Sequence, residues 1–222
     1  MLAELEKVDG IDWIRLMYFY PMYIDDPLIA QIASSEKVLP YLDMPLQHIN
    51  NTMLRRMARR VTREETELQL EKLRAQIPDL VVRTTFISGF PGETDEQHQE
   101  LVEFVEQQRF ERMGVFTYSL EPDTPAASLP DHLPEDVKNA RRDQLMELQQ
   151  QIAFEWSESK VGSQLQVIVD QPGPEDGVWL SRSTADAPDV DAMVWLTSSD
   201  AQPGDIVTAE VVATHGLSLI HI

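Results

Sequence analysis

At 222 residues, 42% apolar and 25% charged, the chain has the composition of a folded globular protein, which excludes disorder as the default reading. Its 18 basic against 38 acidic residues leave a net charge of -20, which makes nucleic acid unlikely as a direct substrate, because phosphate backbones are held by Lys and Arg displacing counterions. Cysteine is absent, so disulfides, a thiolate nucleophile and any cysteine-ligated cluster are excluded within these residues.

A basic protein would be attracted to such a surface, although acidity also serves plain solubility. No apolar run approaches the roughly 20 residues of a membrane helix, and the start has none of a signal peptide's layout; a cytoplasmic protein without a membrane partner is expected.

Taken in chain order, residues 13–20, 38–44, 80–89 and 113–119 are short apolar runs of strand length. Between them lie helical patterns at 27–34, 51–60, 62–76 and 94–108. Thr62 with Glu65 and Thr94 with Gln97 have the spacing of capping boxes, each able to satisfy free amides at a helix start. Strands alternating with helices imply parallel strands and right-handed crossovers, with ligand-binding loops at the carboxyl ends of the strands. Four strands are too few to close a barrel, so an exposed edge is expected. A long helix follows from Pro134 to about Ser159. Beyond Gly162 come short β runs at 164–169, 177–181, 192–196 and 205–213, separated by turn signals, which suggest a small barrel or sandwich. Residues 156–222 hold two basic and ten acidic residues, so this part is itself acidic.

Special-backbone and polar residues gather at the strand ends. Gly89 and Gly92 allow a turn and a close approach to a ligand, Pro91 stiffens it, and Thr94 caps a helix whose amino end could face that ligand. An ordinary βα turn would need the same glycines. Gln47 and His48 follow another strand, although a histidine there is more often a hydrogen-bonded structural residue than a catalyst. Arg55, Arg56, Arg59, Arg60 and Arg63 form the one dense basic cluster. They are either a solvated face paired with Glu64, Glu65 and Glu67, or guanidinium forks for a carboxylate of a cofactor or of an acidic target.

The run from Tyr41 to His48 with Leu54 to Arg60, and the run from Arg83 to Thr94 (RTTFISGFPGET), together with Trp13 to Leu16 and the Tyr20-Pro21 pair, resemble the radical S-adenosylmethionine (SAM) methylthiotransferases. Residues 182–191 (RSTADAPDVD) resemble the TRAM domain of the branch that modifies a ribosomal protein. Gln47-His48-Ile49 stands where the transfer-RNA branch has Gln-Ser-Gly, and Ala192 where the family commonly has glycine. The resemblance implies an α/β fold: an incomplete parallel (β/α) radical SAM barrel over 1–133, a connecting helix over 134–159 and a small all-β TRAM barrel over 160–222, with an atypical tail at 217–222. It implies SAM as cofactor, bound by Gln47, His48, Arg59, Thr85, Ile87, Gly89, Phe90, Pro91, Gly92 and Glu93. Substrate recognition would fall to Arg182, Asp186, Asp189 and Asp191, although aspartates there also shape turns and cap amides.

In that family a Cys-x3-Cys-x2-Cys loop and an amino-terminal domain hold [4Fe–4S] clusters, and their ligands are absent from this chain. The chain is therefore expected to be a carboxy-terminal fragment, monomeric and inactive alone, with Met1 an internal position and the tail a translated sequencing adapter. The full enzyme would methylthiolate an aspartate of a basic small-subunit ribosomal protein. No metal site and no catalytic acid or base is assigned within these residues. A transfer-RNA methylthiotransferase and a non-catalytic acidic binding module are the alternatives.

Overall fold

The computed structural model describes residues 1–198, 200–216 and 218–221. Two units are distinguished, Met1–Gln149 and Gln150–Ile222. In chain order the first contains α1 (Leu2–Leu5), β1 (Ile14–Leu16), α2 (Asp26–Ser34), β2 (Val38–Asp43), α3 (Asn51–Arg56), α4 (Arg63–Gln76), β3 (Val81–Ser88), α5 (Asp95–Gln108), β4 (Arg112–Thr117) and the start of α6 (Glu135–Glu158). Single 3-10 turns lie at Pro21–Tyr23 and Pro125–Ser128.

The four strands form one parallel sheet in the order β1-β2-β3-β4, open at both edges as their number requires. Both capping boxes form: the Thr62 side chain accepts from the Glu65 amide and the Thr94 side chain from the Gln97 amide, with the reciprocal bonds present. β3 shows why the sheet has two different faces. Val82, Thr84, Phe86 and Ser88 are buried, while Arg83, Thr85 and Ile87 are half-buried. The buried face meets α5 through Phe86, whose ring lies 6.4 Å from Phe104 and 5.9 Å from Phe110, both edge-on. On the half-buried face Arg83 pairs with Asp43 at 2.9 Å and Arg15 lies 4.2 Å over the Tyr41 ring.

Two elements are shorter than their apolar patterns suggest. The run at 13–20 leaves the sheet after Leu16 because Tyr18 takes a left-handed backbone (φ 62) and the Tyr18 and Phe19 amides donate to the Asp43 carboxylate and carbonyl. The helix expected over 51–60 stops at Arg56: Ala58 is left-handed (φ 55) and the Arg59 amide folds back onto the Leu54 carbonyl at 2.8 Å.

The second unit takes up the end of α6 and then β5 (Gln164–Pro172), β6 (Val178–Ser183), β7 (Val194–Thr197), β8 (Ile206–His215) and β9 (Ser218–His221). These close into a barrel in the order β5-β6-β7-β9-β8 around Val167, Val169, Val194, Leu196, Ala209 and Val211. β9 comes from the stretch set apart above as an atypical tail; it pairs parallel with β7 and antiparallel with β8, the two strands whose edges would otherwise stay open. Leu217 and Ile222 of that stretch lie outside the described residues. A parallel sheet followed by an all-β barrel is the architecture expected from the sequence.

Candidate functional site

At the carboxyl ends of β2, β3 and β4 the loops enclose a cleft of about 330 Å³ lined by Gln47, Arg56, Met57, Ala58, Arg59, Ile87, Phe90, Thr124, Pro125 and Ala126. Gln47 reaches it by continuing the sheet. Its amide donates to the Thr85 carbonyl at 2.8 Å and its carbonyl accepts from the Ile87 amide at 2.9 Å, with a left-handed backbone (φ 73) that a non-glycine residue adopts only when its surroundings enforce it. The apolar side is built on Phe90, edge-on to Tyr118 at 5.1 Å, with Met53 buried beside them and Met57 and Ile87 packed against the group.

The helix break after Arg56 aims two arginines at this space. Arg59 donates to the Pro45 carbonyl at 2.6 Å and lies 4.2 Å over the Tyr20 ring, whose hydroxyl accepts from the Arg60 amide. Burial pushes the Arg59 guanidinium below its ordinary value, against the opposing influence of Tyr20. Arg56 crosses close to the β3–α5 loop: a Cβ added at Gly92, whose φ is 77, would stand 2.7 Å from an Arg56 guanidinium nitrogen.

Beneath the cleft lies a buried polar cluster. Glu93 has a side chain with no exposed surface. One carboxylate oxygen accepts from the Gly89 amide at 2.5 Å and from Arg141 at 3.0 Å; the other accepts from His48 Nε2 at 3.2 Å. His48 Nδ1 accepts from the Ile49 and Asn50 amides at 2.8 and 3.0 Å, which places the ring proton on Nε2, facing Glu93. Burial raises the Glu93 carboxyl, but the His48 hydrogen bond, the Arg141 charge and the Gly89 amide outweigh it and hold the group below its usual range. Arg141 also donates to the Glu93 carbonyl at 3.0 Å and to Asp95 at 2.5 Å. Through Glu93, the loop after β2, the turn after β3 and helix α6 are tied together.

The ten residues expected to bind a cofactor therefore divide. Gln47, Arg59, Ile87 and Phe90 line the cleft; Thr85 supports it through its carbonyl; Pro91 is buried in the turn. His48 and Glu93 form the buried support. Gly89 and Gly92 face side chains of this chain: a Cβ at Gly89, where φ is 71, would fall 2.2 Å from Lys138 Cγ. The close approach these glycines allow is thus to Lys138 and Arg56. Arg56 stood out in sequence as one of a basic cluster, but Thr124 to Ala126, Lys138 and Arg141 carried no signal of their own.

In the second unit a cleft of about 470 Å³ is lined by Asp170, Arg182, Asp189, Asp191 and Met193 among others. Arg182 donates to Asp170 at 3.1 Å, and Asp189 is exposed with a left-handed backbone. Asp186 does not reach this cleft. It is buried, accepting from the Ser183 hydroxyl at 2.5 Å and the Ser183 amide at 3.2 Å, while Asp191 accepts from the Ala187 amide at 2.8 Å.

Comparison with known proteins gives these clefts a context. Residues 1–105 match the Radical SAM superfamily and residues 161–220 match the TRAM domain. The chain is 46% identical, over 99% of its length, to ribosomal protein uS12 methylthiotransferase RimO of Lachnoclostridium phytofermentans, covering 50% of that protein. Against the protein of the same name from Desulfitobacterium hafniense it is 44% identical over 99% of its length, covering 49%. The chain is similar to uS12 methylthiotransferases along nearly its whole length. It spans about half the length of the curated relatives it matches. Among solved structures, coproporphyrinogen III oxidase (HemN) from Escherichia coli aligns with a TM-score of 0.53 at 19% identity, over 64% of this chain and 32% of that one, which speaks for the fold alone.

Radical SAM proteins use SAM and a [4Fe–4S] cluster. This chain has no cysteine, and among the described residues no group of His, Asp and Glu could hold a metal ion, so its residues do not fit the cluster. They do fit the organic cofactor: an apolar floor at Phe90, Ile87 and Met57, an amide at Gln47 and two guanidinium groups suit a nucleoside carrying an amino-acid tail. No helix among the described residues is long and apolar enough to cross a membrane.

Proposed function

We propose that this chain is the carboxy-terminal half of an enzyme that methylthiolates an aspartate of ribosomal protein uS12, that its first cleft holds the adenosyl part of SAM, and that its acidic second unit receives the basic substrate protein. The observation that carries the reading is the gathering of Gln47, Arg59, Ile87 and Phe90 around one cleft at the carboxyl ends of parallel strands, in a chain 46% identical to a uS12 methylthiotransferase along 99% of its length. SAM, when bound, would supply the radical and group-transfer chemistry. The residues of this chain bind, orient and exclude water: Phe90 and Ile87 offer a flat apolar surface for a base, and Glu93 with His48 and Arg141 fixes the turn that presents Phe90. In the second unit, exposed Asp189 is the group free to meet a basic side chain, while Asp186 holds the turn that displays it.

Titration with S-adenosylhomocysteine, followed by amide chemical shifts, tests the cofactor reading. Weak saturable binding is expected, with a Kd raised about fivefold or more by Phe90→Ala through loss of aromatic contact. Binding unchanged in that variant contradicts it.

A further inference from the structure

The sequence holds five tyrosines. Three are buried or half-buried, and each has a cation at its ring: Arg15 lies 4.2 Å over Tyr41, Arg59 4.2 Å over Tyr20, and Lys138 Nζ 5.8 Å from the Tyr118 centroid. The other two, Tyr18 and Tyr23, are 79% and 71% exposed. Both lie in the segment that follows β1, at the same end of the parallel sheet as the first cleft. Tyr23 is joined to that end through Tyr20, whose ring lies 5.9 Å from it and whose other neighbour, Arg59, lines the cleft.

Tyr18 is held outward at a cost. Its backbone is left-handed (φ 62), which a bulky residue adopts only where its surroundings enforce it. The enforcing group is Asp43, whose side chain has no exposed surface. One carboxylate oxygen accepts from Arg83 at 2.9 Å and the other from the Tyr18 amide at 3.3 Å, while the Asp43 carbonyl accepts from the Phe19 amide at 2.8 Å. A buried ion pair therefore fixes a ring that contributes little buried apolar surface in return, which points to a use for the ring outside the fold.

We infer that Tyr18 and Tyr23 form an aromatic rest for an arginine side chain of the substrate segment, beside the residue that enters the cleft. Ring faces attract cations, a guanidinium stacks flat on them, and the net charge of -20 adds long-range attraction. Exposed rings also stack nucleobases, but the same net charge repels the phosphates that accompany them. The inference rests on the reading of a basic substrate protein given above and names the group on it that is read.

Three probes are titrated by NMR into the intact chain at physiological ionic strength. They are a glycine-serine peptide carrying one aspartate flanked by two arginines, the same peptide with neutral citrulline for arginine, and oligouridylate. The arginine peptide should bind about fivefold more tightly than the citrulline peptide. That preference should survive in Tyr18→Phe, which keeps the ring, and should disappear when Tyr18→Leu and Tyr23→Leu are combined. Melting temperatures should stay in place, because both side chains are exposed. No preference in the intact chain, a preference that persists in the double variant, or tighter binding of oligouridylate overturns the inference. Retention of whole uS12 is measured beside these titrations. Retention without arginine preference removes the aromatic rest and leaves the substrate reading standing; ring-dependent preference without retention does the reverse.

Discussion

Replacing Glu93 by alanine tests whether the buried cluster sets the stability of the first unit. The substitution leaves three donors facing an empty space: Arg141, whose side chain is 9% exposed, His48 Nε2 and the Gly89 amide. Breaking a buried ion pair by removing one partner costs about 3–5 kcal/mol, because the remaining charge stays desolvated. For a unit of this size that is a fall of roughly 10 °C in melting temperature. Asp95 is the internal control. It also pairs with Arg141, but its side chain is 94% exposed, so Asp95→Ala should change stability by less than about 1 kcal/mol. Differential scanning calorimetry reads both variants, and amide exchange at Gly89 should accelerate in Glu93→Ala alone. A fall for Glu93→Ala no larger than that for Asp95→Ala would refute the reasoning.

The Glu93 carboxyl is held below its usual range, so the stability it contributes is present above about pH 4.3 and is lost as pH falls through the folded value; Glu93→Gln should flatten that acid limb of a stability profile. Burial lowers the His98 imidazole, against the raising hydrogen bond that its Nε2 donates to the Gln144 side-chain oxygen, so its contribution is complete above about pH 6.5 and declines as pH falls below it; His98→Gln should remove this slope, read by urea midpoints at a series of pH values. Gly89→Ala combines a left-handed backbone with a clash on Lys138 and should destabilise by more than about 2 kcal/mol, whereas Gly204→Ala, with φ 96 and nothing within 4 Å, should cost about 1–2 kcal/mol from backbone strain alone, both measured by thermal melts. In the second unit, Asp186→Ala should lower barrel stability by about 1–3 kcal/mol by removing the carboxylate that accepts from the Ser183 hydroxyl and amide, whereas Asp189→Lys should leave the melt in place and weaken retention of a basic ribosomal protein at moderate salt.

How much was legible follows from whether a residue's partners are near it in sequence. The capping boxes at Thr62 and Thr94 and the two-residue alternation through Arg83, Thr85 and Ile87 are local patterns, and they place the helices and the half-buried face of β3 directly. Gln47 and Phe90 were legible because strand ends in a parallel sheet converge. The buried role of Glu93 was not: the resemblance places it among the cofactor-binding residues, and its decisive partners, His48 and Arg141, lie 45 and 48 positions away. The same holds for Gly89, whose glycine requirement comes from Lys138 on α6. Asp186 shares an acidic stretch with Asp189 and is separated from it by burial, which alternation along β6 does not reveal.

Photo-crosslinking with 8-azido-S-adenosylmethionine, followed by peptide mass spectrometry, tests the central claim most directly, because it reports which residues the adenine ring touches. Adducts competed by S-adenosylhomocysteine should fall on the segment containing Ile87 and Phe90 or on Thr124 to Ala126, and should be lost in Phe90→Ala. Competed adducts confined to residues 161–220, or labelling that the competitor does not reduce, would contradict the assignment of this cleft to the cofactor.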